Sequence, residues 1–231
     1  MLDGVKKWIR TLFPAKTATP LSPAAIFKTL PQFNKNKIFI DAEFSYTNTF
    51  LDVKTFLATH NSFLADYTIG TMLVSDWIMK QCELYDVSPK LILVQLERYS
   101  RLVSASVPPS RETLDRALNI GVLKSCVSPG FSGLDRQIAY CAQQYRRWFD
   151  RYTAYGTGRP MCMDDATIKP ENAFTYALYM MDPYVGVEDL YKVATLRDTK
   201  GVVTGTTQEL QYTAPFGAYL TWRLWANWFP L

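Results

Sequence analysis

The sequence predicts a mainly α-helical domain preceded by a short extension. Three observations carry this expectation. Apolar residues recur at helical spacing from about residue 52 onward. Ser88-Pro89 is a strong helix start, a capping residue followed by proline at the first helical position. Strand-like alternation is weak and confined to 37–40 and 201–206.

The elements follow in chain order. Residues 3–13 form a short amphipathic pattern, with Trp8, Ile9, Leu12 and Phe13 apolar and Lys6, Lys7 and Arg10 basic. Such a segment suits a membrane surface or a protein partner, and docking to a partner is the favoured expectation. Residues 14–24 carry three prolines and read as a linker. This gives an extension over 1–32 and a domain over 33–231. Asp52 is placed to cap a short helix running to His60. A longer helix is expected over 69–86, then the helix that Ser88-Pro89 opens, containing 91-LILVQLERYSRLV-103. Pro108-Pro109 breaks the chain, and Ser110 with Thr113 starts a short helix reaching Gly121. Residues 122–133 read as loop, 134–152 as a strong helix, and 153–168 as a polar loop. Further helices are expected over 170–182 and 216–228, with an irregular stretch over 186–212.

Composition narrows the function classes. The chain is 48% hydrophobic and 20% charged, enough to bury a sizeable core. Its net charge of +4 is too small to argue for nucleic acid, and leans toward an anionic polymer such as a bacterial cell wall. The 14 Tyr and 6 Trp first suggest an aromatic core. They also suit carbohydrate, because flat rings with a polar edge stack on sugars while hydrogen-bonding. One histidine, His60, excludes zinc sites built on two or three His. Cys82, Cys126, Cys141 and Cys162 form no CxxC pair and read as small buried hydrophobes. His60 also precedes every Cys, against the papain-like order. No metal or other cofactor is expected. No run approaches the ~20 apolar residues of a membrane span. The N-terminus lacks a signal-peptide pattern, so synthesis in the cytoplasm without such a peptide is the expectation.

Within the central helix, Ile92, Leu96, Tyr99 and Val103 share one stripe, and Lys90, Val94, Glu97 and Arg101 another. Glu97 lies four residues before Arg101, the favourable order for a helix ion pair worth about 0.3–0.5 kcal/mol. The first reading of Glu97 is therefore a partly solvated surface pair.

An ordered set of segments carries a resemblance. These are 33-FNKNKIFIDAEFSYTNTFLDVKTFLATHNSFLADY-67, 86-DVSPKLILVQLER-98, 113-TLDRALNIGV-122, 131-FSGLDRQIAYCAQQYRRWF-149, 168-IKPENAFTYALYMMDPYVG-186 and 217-GAYLTWRLWANWF-229. In this order they resemble a bacterial and phage lysozyme-like family related to glucosaminidases and lytic transglycosylases. The resemblance covers about 33–231. It implies a lysozyme-like, mainly helical fold that acts on peptidoglycan or another glycan. Such enzymes use a glutamic acid at the end of the core helix to protonate the glycosidic oxygen. The resemblance puts that acid on Tyr99, with Glu97 matching an earlier, less critical Glu. A tyrosine, with a pKa of about 10, is a poor donor for this task. Glu112, Asp115 and Asp135 are the substitutes nearby. Gln137 matches a family glutamine and is expected to meet a sugar N-acetyl group. Asn172, Tyr176 and Tyr179 match the family's later helix; Tyr176 and Tyr179 either pack or line the groove.

These readings leave two functions open. One is a lysozyme-like domain that has lost catalysis and serves as a structural or peptidoglycan-binding protein. With no signal peptide and a docking arm at 3–13, it would suit a phage virion component. The other is an active peptidoglycan glycosidase using a non-standard acid such as Glu97.

Overall fold

A computed structural model describes residues 32–123, 126–156, 160–163, 166–186, 195–197, 203–206 and 217–229. All belong to one unit, Gln32–Leu231. The expected arm at 3–13 and linker at 14–24 lie outside the described residues.

The architecture is mainly helical. The described helices are α1 (Val53–Thr59), α2 (Val74–Tyr85), α3 (Pro89–Ser100), α4 (Arg111–Asp115), α5 (Leu134–Tyr155), α6 (Ala173–Met181) and α7 (Gly217–Trp228). Four two-stranded antiparallel hairpins punctuate them: β1 (Thr68–Ile69) with β2 (Met72–Leu73), β3 (Val122–Leu123) with β4 (Cys126–Val127), β5 (Met161–Cys162) with β6 (Thr167–Ile168), and β7 (Thr195–Arg197) with β8 (Val203–Thr206).

α3 is the axle. Leu91, Ile92, Leu93, Val94, Gln95 and Leu96 are all fully buried. Six consecutive buried residues cover every direction around a helix, so α3 is enclosed rather than amphipathic. Its neighbours are α2, α5 and α7. Pro89 takes the first helical position, as expected, and Ser88 stands at the N-cap. Ser88 does not cap through its side chain, however; its hydroxyl bonds Thr49 Oγ1 at 3.0 Å. Asp52 does cap α1, accepting from the Thr55 amide at 3.0 Å and from its hydroxyl at 2.6 Å. These bonds hold its carboxyl below the usual range.

α5 runs 22 residues, about 33 Å. Its first half buries Leu134, Gln137, Ile138, Cys141, Ala142 and Tyr145. α6 is held from a distance: Asp41 accepts from the Ala173 and Phe174 amides at 3.4 and 2.8 Å, while Asn172 accepts from Thr175 at 3.0 Å. Between them the two side chains satisfy the first-turn donors that a helix leaves unpaired. Phe39, Phe44, Phe174 and Trp225 join into an aromatic cluster.

Several boundaries differ from the sequence reading. The helix expected over 69–86 begins only at Val74, because Gly70, at φ +63°, turns the β1–β2 hairpin. α3 stops at Ser100, where Arg101 turns left-handed at φ +52°. The helix expected to reach Gly121 is the single turn α4, and Asn119 and Gly121 both have positive φ. The segments read as loops over 122–133 and 153–168 each hold a hairpin. Alternation at 201–206 corresponds to β8, whereas 37–40 is not a strand. Cys82 and Cys141 are buried as expected, but Cys126 and Cys162 are exposed; all four are free thiols.

Candidate functional site

The C-terminal end of α3 is where the resemblance places an acid, and its side chains are already occupied. Glu97 does not pair with Arg101. The helix ends first, so Arg101 leaves the helical stripe. The Glu97 carboxylate instead accepts from the Ser104 amide at 2.9 Å and the Ser104 hydroxyl at 2.7 Å. It latches the loop that follows α3. Both carboxylate oxygens are thus engaged as acceptors within the chain.

Tyr99 is half-buried. The Arg98 guanidinium lies 4.5 Å over its ring and donates to its hydroxyl at 3.3 Å. Ser100 donates to the Ala117 carbonyl at 2.6 Å, tying α3 to the segment after α4. Arg98 itself forms a buried ion pair with Asp182 and donates to Gln95 Oε1 at 3.1 Å. Gln95 reaches Thr221 at 3.4 Å, and Thr221 donates to the Gly217 carbonyl. A polar chain thus joins α6, α3 and α7 through the core. Sequence reasoning missed Arg98 and Asp182. The available signal was a lone arginine following LILVQLE and a lone aspartate following AFTYALYMM, since charges in such runs must be paired when buried.

Gln137 is fully buried, and its amide is fully used. Its Oε1 accepts from the Leu118 and Ile120 amides at 3.0 and 3.1 Å. Its Nε2 donates to the Ile120 and Phe131 carbonyls at 2.8 and 2.7 Å. That is the whole capacity of a side-chain amide, so nothing is left for a sugar N-acetyl group. Gln137 is a clamp on the 118–131 segment. Asn172 caps α6 and donates to the Phe39 carbonyl. Tyr176 is buried against Tyr152 and Trp148, and buried Tyr179 donates to the Lys35 carbonyl at 2.9 Å. These two tyrosines pack.

An open concavity lies elsewhere among the described residues. A cleft of about 540 Å³ runs between the β1–β2 hairpin, Pro108-Pro109, α4 and the start of α5. Tyr67 and Ile69 form one wall, and Arg111, Leu114 and Asp115 another. Gly133 and Asp135 close its end. Two of the three substitute carboxylates, Asp115 and Asp135, therefore line one cleft. Glu112 is not part of it; it pairs with Arg116 at 3.4 Å on the surface. Among the described residues, the Asp115 carboxylate has only a long contact to Arg111, at 3.9 Å. Asp135 has no hydrogen-bond or ion-pair partner for its carboxylate among the described residues, while its backbone carbonyl accepts from Trp77 Nε1 at 3.1 Å. Gly133 makes room for it. At φ +110°, a Cβ there would sit 2.6 Å from Asp135 Oδ1.

Among the described residues no group of three His, Cys, Asp or Glu side chains is placed to hold a metal. His60 packs its ring on Phe56 and Trp228. No helix among the described residues is long and apolar enough to cross a membrane.

Fold and site thus define a mainly helical domain built around one enclosed helix, with an open cleft between the β1–β2 hairpin, α4 and the start of α5. A family model described as LasA, N-terminal domain, matches residues 37–183, and the chain belongs to that family. No curated protein and no solved structure matches it.

Proposed function

We propose that this domain binds peptidoglycan or a related wall glycan through the β1–β2, α4 and α5 cleft, without glycosidase chemistry at the end of α3. The observation that carries the reading is the contrast between the two places. Glu97 and Tyr99 are committed to internal partners, while Tyr67, Asp115 and Asp135 face an open cleft. A tyrosine ring beside carboxylates suits a sugar, stacking on its face while accepting from its hydroxyls. Two likenesses, carried by overlapping segments of the chain, support the target. The motif order resembles lysozyme-like enzymes, and LasA is a bacterial peptidase and staphylolytic enzyme. Each concerns the bacterial wall. Such a domain would be a lysozyme-like scaffold kept for attachment, and carriage in a virion is one setting that would use it.

One observation favours a second reading. The Asp135 carboxylate has no partner among the described residues and shares the cleft with Asp115, so the two form a candidate acid and base. Inverting hydrolysis would need them about 6.5–9.5 Å apart with a water between. Pelleting with purified sacculi separates the readings. Binding should fall about tenfold in Tyr67→Ala and in Asp135→Asn, a loss of about 1.4 kcal/mol, with no soluble sugar released by wild type. Undiminished binding in both variants would remove the cleft from the proposal. Sugar release by wild type, abolished in Asp135→Asn, would establish the second reading.

A further inference from the structure

The outer half of α5 carries a feature that neither the cleft nor the core uses. Past Tyr145 one face of the helix stays packed through Phe149 and Tyr152, while Arg147, Arg151 and Tyr155 are exposed. α5 holds four arginines against two aspartates. The four are differently placed. Arg136 donates to the Pro129 carbonyl at 2.7 Å. Arg146 is neutralised by Asp86 and Asp150. Arg147 and Arg151 have no carboxylate partner among the described residues. Both instead lie against the ring of Trp148, each with its guanidinium carbon 5.4 Å from the centroid.

This arrangement is pre-organised. Residues 147 and 151, whose guanidiniums have no carboxylate partner among the described residues, stand about 6 Å apart along the helix axis. Laid against an indole, a guanidinium loses side-chain freedom yet keeps its edge donors pointing outward. The cost of ordering two long side chains is then met before any ligand arrives.

From this we propose that the Arg147–Trp148–Arg151 face of α5 binds a phosphodiester-linked wall polyanion, a polyol-phosphate chain. The inference rests on the wall-binding reading above, but uses a different surface. Charge complementarity selects a polyanion. The narrow line of charge along one helix suits a linear chain rather than a membrane plane. Single-stranded nucleic acid is disfavoured because the indole is already occupied. It carries two guanidiniums and an edge contact to Tyr176, leaving it poorly placed to stack a base.

The test uses the full chain as wild type, as Arg147→Gln/Arg151→Gln, and as Asp135→Asn. Each is titrated with purified polyol-phosphate polymer, and with sacculi chemically stripped of phosphate polymers. An oligodeoxythymidine and anionic vesicles serve as further probes. The double variant should lose on the order of tenfold in affinity for the polymer and much of its salt dependence. It should bind stripped sacculi as wild type does. Asp135→Asn should show the reverse pattern. Equal polymer binding by wild type and the double variant would overturn the inference, as would equal or tighter binding to the oligonucleotide or the vesicles. Failure of every protein on stripped sacculi, with polymer binding intact, would instead overturn the cleft reading and leave this one standing.

Discussion

Replacing Gln137 by leucine distinguishes a clamp from a ligand-binding side chain. The substitution removes four hydrogen bonds and strands the Leu118 and Ile120 amides and the Ile120 and Phe131 carbonyls. The Leu118 contact is fully buried, and the other three are partly so. An unsatisfied buried group costs about 1–3 kcal/mol, and a partly buried one less, so the loss should total roughly 3–6 kcal/mol. That is a large part of the 5–15 kcal/mol typical of a folded domain. Urea denaturation should show it as a lower midpoint, and the Leu118 and Ile120 amides should exchange much faster. Gln137→Glu makes a sharper test. Its second oxygen would face two carbonyls, so the introduced carboxyl favours its protonated form and the variant should gain stability as pH falls. A loss below about 1 kcal/mol for Gln137→Leu, with wall binding abolished, would refute the clamp and restore a sugar-binding role.

Other outcomes follow from the same structure. Asp182→Ala should cost about 3–5 kcal/mol by leaving Arg98 buried and unpaired, read as a lowered midpoint in thermal unfolding. Glu43 is half-buried, and burial raises its carboxyl above the ordinary value despite nearby Lys90. The folded chain then holds that proton more tightly than the unfolded chain, so the charged form costs stability above the raised value. Glu43→Gln should therefore raise Tm at pH 7, with the gain fading as pH drops toward 4.5. Gly133→Ala should strain the φ +110° backbone and displace Asp135, costing about 1–3 kcal/mol in denaturation and weakening binding to sacculi. Tyr99→Glu should stay inactive in a sugar-release assay, because Arg98 beside it would hold a carboxylate ionised.

The helical frame was legible because it rests on local signals. Pro89, Asp52 and the apolar run through Leu96 each act within a few residues; α1, α5 and α7 fall close to their expected bounds, and α3 starts where expected. The hairpins were hidden because each strand of the first three is only two residues long, too short for alternation to register. The site was less legible for a different reason. Glu97 and Arg101 have ideal helical spacing, but Arg101 itself turns left-handed and ends the helix, so the spacing does not hold. Gln137 and Asn172 carry the residue types of a binding site, yet their amides serve backbone groups that only the folded chain brings near. Asp115 and Asp135 lie 20 residues apart in sequence and meet at one cleft because α4 and the start of α5 converge there. The Arg98–Asp182 pair spans still more of the chain.

The most direct measurement incubates purified protein with labelled sacculi and follows pelleting together with release of soluble reducing ends, for wild type and Glu97→Gln. A wall-binding domain with its α3 terminus committed to internal partners should pellet with the sacculi and release nothing, and Glu97→Gln should bind as well as wild type. Release by wild type that Glu97→Gln abolishes would contradict the account and make this chain a glycosidase acting from α3.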